Sequence, residues 1–139
     1  MSQPALVLGT IQTRRPDDPW QALVVSQTNR AVIAGLTTAP HGLCADCFYM
    51  PPSHAEQPLL WGFSGYCPQP EQYWMAWLEA FESCLQQMIW SEVQLHLQTP
   101  WHGAHYLRWH AGLSEHQPGA SVVVLRSDWE HDAGFFRFG

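Results

Sequence analysis

The sequence predicts a single α+β domain over residues 1–139, in which a mostly antiparallel sheet of about six to eight strands packs on one long amphipathic helix near residues 71–89. Three observations predict it. The chain has 139 residues, the size of one ordinary domain. Apolar side chains recur at helical period between Trp74 and Met88. Residues 92–98 alternate strictly between polar and apolar, as a strand with one buried face does.

The elements follow in order. Residues 5–13 are apolar, with β-branched side chains and no helix cap, and predict a first strand ending at Arg14-Arg15-Pro16-Asp17-Asp18-Pro19. Residues 21–27 and 31–38 are two Val/Ile/Leu-rich runs separated by Thr28-Asn29-Arg30, a spacing that predicts a β-hairpin. Residues 39–57 hold Pro40, Gly42, Pro51 and Pro52 around Cys47-Phe48-Tyr49-Met50, a loop-rich stretch with at most one edge strand. Residues 59–66 read as another strand, weakened by Gly62 and Gly65.

Pro68-Gln69-Pro70 opens the helix, because proline is tolerated in a first turn and Glu71 suits the positive end of the dipole. Trp74, Trp77, Leu78, Phe81, Leu85 and Met88 make its apolar stripe; Gln72, Glu79, Glu82, Ser83 and Gln86 fall opposite. Residues 92–98 and 106–111 then form two alternating strands, 121–126 a Val-rich strand and 135–138 a final edge strand. Residues 100–105 and 116–120 supply turns, which makes His102, His105 and His116 solvated turn histidines.

Composition restricts function. Hydrophobic residues make up 46 % of the chain and aromatic ones 13 %, with eight Trp, while charged residues reach 13 %, about half the usual share of ~25 %. Such a chain folds and exposes some aromatic surface for a partner. Net charge is −6, and the six basic residues, all Arg, are scattered, so direct duplex nucleic-acid binding is not expected. The N-terminus lacks the basic and long apolar runs of a signal peptide, and no stretch suits a membrane span. The expected compartment is cytoplasmic, with Cys44, Cys47, Cys67 and Cys84 reduced.

The densest group of metal-capable residues is His41, Cys44, Cys47 and His54, whose four nitrogen and sulfur donors suit a tetrahedral zinc site. His54-Ala55-Glu56 resembles the His-x-Glu half of the zinc-dependent nucleobase deaminases, in which a Cys pair completes the site. Here the Cys pair precedes His-x-Glu, and Cys44 follows Leu43 where that family has Pro. Gly62-Phe63-Ser64-Gly65 falls one residue short of a nucleophile elbow, and no Gly-rich loop precedes the helix. No catalytic residue and no cofactor is therefore assigned.

Alternation gives the more specific expectation. If 92–98 and 106–111 pair as a hairpin, Val93, Leu95, Leu97, Leu107 and Trp109 face the helix. The opposite face then carries Gln94, His96, Tyr106, Arg108 and His110, with Gln98, a mixture common at protein interfaces. Residues 134–139 make an apolar end that pairs with a sheet edge or a partner. The sequence thus predicts a small, acidic, non-enzymatic protein-binding module: an inhibitor, an immunity-type protein or an assembly adaptor for another protein or a nucleic-acid-handling complex. The alternative is a zinc-dependent enzyme or regulator built on His41, Cys44, Cys47 and His54.

Overall fold

A computed structural model describes residues 4–13, 18–37, 39–49, 60–99, 103–111, 115–119, 125–126 and 130–131. In chain order the elements are β1 (Ala5–Gln12), α1 (Pro19–Ala34), a 3-10 turn (Ala45–Cys47), β2 (Phe48–Tyr49), β3 (Leu60–Cys67), α2 (Pro70–Gln87), β4 (Glu92–Thr99), β5 (Gly103–His110), β6 (Leu125–Arg126) and β7 (Glu130–His131). The fold is α+β, and every strand pair is antiparallel. Five strands in the order β2-β3-β1-β4-β5 form the body of the sheet, fewer than six to eight, and the two-residue β6 and β7 both pair with β5. Because β3 and β4 each run antiparallel to β1 on its two sides, they are parallel to each other. Helix α2 joins them across β1, a split β-α-β unit.

Helix α2 lies close to its expected bounds. It buries Trp74, Trp77, Leu78, Phe81, Cys84 and Leu85 and leaves Met75 exposed on the other side. Its rings interlock: Trp74 stacks on Trp77 at 5.2 Å, Trp77 on Phe81 at 5.0 Å, and Phe81 meets Phe63 of β3 at 5.0 Å and Trp109 of β5 at 5.5 Å. These rings pack the space between helix and sheet as core. The helix ends where the Trp90 indole N–H donates to the Leu85 carbonyl at 2.7 Å, satisfying one of the orphan acceptors of the last turn.

The predicted hairpin over 21–38 is not formed; α1 takes its place, so the sheet packs on two helices and not on one. Asp18 caps α1, its side chain accepting from the Trp20 N–H at 3.0 Å, and Pro19 occupies the first turn. Only Val25, Asn29 and Ile33 are buried, at i, i+4 and i+8. Asn29 makes no turn: its Nδ2 donates to the Ile89 carbonyl at 2.9 Å and its Oδ1 accepts from the Ile89 N–H at 2.8 Å. A polar residue thus stands in the middle of the docked stripe and hides its period. Arg30 adds a cation–π contact, its guanidinium 5.6 Å from the Trp61 ring centre on β3.

Two histidines expected in solvated turns are buried. His105 lies within β5, opposite Leu97. His116 returns over the end of α2, where its backbone N–H donates to the Trp90 carbonyl at 2.8 Å and its ring stacks on Trp90 at 5.1 Å. Its Nδ1 is 2.7 Å from the Met88 carbonyl, which can only accept, so Nδ1 carries the proton. Of the strand expected at 121–126, residues 125–126 form β6; 121–124, the strand expected at 135–138, the apolar end at 134–139, His102 and His54-Ala55-Glu56 lie outside the described residues. No described helix is long and apolar enough to cross a membrane.

Candidate functional site

Strands β4 and β5 pair as the alternation requires, with Leu95 opposite Leu107 and His96 opposite Tyr106. Val93, Leu95, Leu97, Leu107 and Trp109 are buried in the core beneath the helices. The opposite face holds all five expected partner-binding residues. Gln94 pairs with Arg108, His96 with Tyr106 and Glu92 with His110, and directly opposed residues point to the same side. The His96 and Tyr106 rings meet edge to face at 4.7 Å. Glu92 Oε1 lies 3.4 Å from Arg108 Nε, 3.8 Å from His110 Nε2 and 3.5 Å from the Gln94 amide, so the carboxylate gathers three neighbours.

The pairings of β1 widen this face beyond one hairpin. Two rows run across the sheet: Ser64, Leu8, His96 and Tyr106 form one, and Gly62, Thr10, Gln94 and Arg108 the next, with Tyr49 of β2 beyond Gly62. Leu8, Tyr49, Leu60, Tyr66 and Tyr106 are exposed here, Tyr49 and Tyr66 by 65 % and 62 %. Small side chains keep the middle low. Two adjoining open hollows result, one of about 370 Å³ between Leu8, Thr10, Gln94, His96, Tyr106 and Arg108, the other of about 310 Å³ between Leu8, Thr10, Tyr49, Gly62 and Ser64. Both share the β1 backbone at Gly9, where any side chain would strike the Gln94 carbonyl and come within 2.6 Å of the Phe63 ring.

The charge distribution is uneven. Among the described side chains of this face Glu92 is the one carboxylate and Arg108 the one guanidinium, and they face each other, whereas Glu71 and Glu79 are exposed on α2 across the molecule. The described side chains of this face thus carry one fixed charge of each sign, in a chain of net charge −6. Sequence reasoning found the β4–β5 part of the face and missed Leu8, Tyr49, Leu60 and Tyr66. Their strands carry apolar residues on both sides, and no local pattern tells which side the helices cover.

The second expected cluster forms only in part. Cys44 Sγ and Cys47 Sγ are 3.7 Å apart across the 3-10 turn, and the Cys47 thiol donates weakly to the Gly42 carbonyl at 3.6 Å. His41 does not join them as a ligand would: its Nδ1 accepts from the Leu43 N–H at 3.1 Å, whereas a metal-bound imidazole generally donates from its second nitrogen. Among the described residues no group of three or more His, Cys, Asp or Glu side chains converges to hold a metal, and His54 is outside them. Burial pushes the Cys47 thiol up from its ordinary value, helped by the negative charge of Asp46. Burial likewise drives Cys67 and Cys84 up to about 11, which marks them as inert packing residues. Comparison of the chain with protein-family models, with curated proteins and with solved structures finds no match in any of the three.

Proposed function

We propose that this protein is a small, non-enzymatic binding module that docks on another protein through the sheet face opposite its helices. An inhibitor, an immunity-type protein and an assembly adaptor are the roles that such a module fills. One observation carries the reading: the face turned away from α1 and α2 exposes Leu8, Tyr49, Leu60, Tyr66 and Tyr106, with Leu8 and Tyr106 lining an open hollow. An ordinary wet sheet face is dominated by Lys and Glu, which interface centres lack; Tyr and Arg are enriched at interfaces. The partner that fits is a protein surface with an apolar centre. Glu92, Arg108 and His110 then form a polar rim at one end, setting orientation more than affinity.

The test is retention of a partner captured from the native host by wild-type protein and by the triple variant His96→Ala, Tyr106→Ala, Arg108→Ala. A second triple variant on the wet side of α2, Gln72→Ala, Glu79→Ala, Gln86→Ala, serves as control. Loss of two or more central side chains lowers affinity by at least about 100-fold when they carry the interface. The control should bind as wild type does. Equal retention of the same partner by the sheet-face variant would overturn the reading.

A further inference from the structure

We propose that Cys44 and Cys47 form a dithiol site that exchanges with a small disulfide such as glutathione disulfide, closing an internal bond between them. The turn itself brings the sulfurs together. The Cys47 N–H donates to the Cys44 carbonyl at 3.1 Å, and this short loop holds the two Sγ atoms 3.7 Å apart. Forming a bond of ~2.05 Å requires a relative displacement of under ~2 Å. Two glycines flank Cys47. A Cβ at Gly65 of β3 would lie 2.8 Å from Cys47 Sγ, and Gly42, whose φ of +94° disfavours any other residue, presents its carbonyl to the same sulfur.

Access separates this pair from the other cysteines. Cys44 and Cys47 are each partly exposed, whereas Cys67 and Cys84 are buried in the core. The two sulfurs also differ in role, because Cys47 Sγ is held against the Gly42 carbonyl at 3.6 Å and packed beside Gly65 of β3. Cys44 leads. Its thiolate attacks one sulfur of glutathione disulfide, the S–S bond breaks, and one glutathione leaves as thiolate and takes up a proton. Cys47 then loses its proton and attacks Cys44 Sγ, expelling the second glutathione. The dithiol gives up two electrons and two protons, and glutathione disulfide becomes two glutathione thiols. This site stands independently of the docking face, although the turn runs directly into β2 and so into Tyr49.

The experiment equilibrates the reduced full chain with graded ratios of glutathione to its disulfide, followed by acid quenching, alkylation under denaturing conditions and mass spectrometry of the digested peptides. The expected result is a peptide spanning Cys44 and Cys47 that is lighter by two hydrogens and unalkylated, with Cys67 and Cys84 fully alkylated. In Cys47→Ser, glutathione should remain on Cys44; in Cys44→Ser, Cys47 should acquire it more slowly. The wild-type measurement stands whether or not the variants fold. Full alkylation of both Cys44 and Cys47 in excess glutathione disulfide overturns the proposal. So does stoichiometric zinc in the purified protein that blocks exchange until a chelator removes it, because the pair would then be a metal ligand set.

Discussion

Helices α1 and α2 pack on the same face of one sheet, yet they are held there by different forces. Helix α2 buries six side chains, five of them Trp, Phe or Leu, and among these Trp77 and Phe81 close on the rings of β3 and β5. Helix α1 buries three, and the central one is Asn29, bonded to both backbone groups of Ile89. The largest apolar residue of α1, Trp20, is 71 % exposed, and Leu23 and Val24 also face outward. Apolar content therefore fails to identify the docked side of α1. A helix can be anchored by hydrogen bonds that only its target supplies, and such a helix shows a blurred period in sequence.

Three substitutions sharpen or break this comparison. The largest effect is expected from Phe81→Ala in α2, which removes the ring shared by Phe63, Trp77 and Trp109 and should cost about 3–5 kcal/mol, read as a lowered urea midpoint. Asn29→Ala in α1 comes next. It strands the Ile89 N–H and carbonyl in a buried place, at a cost of about 2–3 kcal/mol in the same titration. A loss no larger than that of a surface substitution would mean that Val25 and Ile33 alone dock α1, and the contrast between the helices would disappear. The smallest is Asp18→Ala, which deletes the cap on the Trp20 N–H. It should cost about 1 kcal/mol and hasten amide hydrogen exchange in the first turn of α1, with no change in α2.

Legibility in the sequence follows the same division. Helix α2 was readable because every buried position is apolar and the intervals between them are those of one helical face. Strands β4 and β5 were readable because Val93, Leu95, Leu97, Leu107 and Trp109 alternate with polar residues, and a period of two assigns every side chain to a face. Helix α1 was misread as a hairpin: Val24, Val25, Val32 and Ile33 have high strand propensity, and Asn29 resembles a turn residue. The Asp18-Pro19 start was the available contrary signal, since a capping residue before proline marks a helix N-terminus.

The sequence by itself determined which residues of β4 and β5 face the core, that a helix with one apolar stripe lies near α2, and that Cys44 and Cys47 stand three residues apart, since each of these depends on local period or spacing. Only the tertiary structure decided the rest. It placed β1 between β3 and β4, which carried Leu8, Thr10, Gly62 and Tyr49 into one surface with His96 and Arg108. It joined Asn29 to Ile89 across sixty residues and brought His116 back onto Met88 and Trp90. Local periodicity sorts the sides of an element, whereas the partner of each side is chosen by packing among elements distant in the chain, where no short pattern records it.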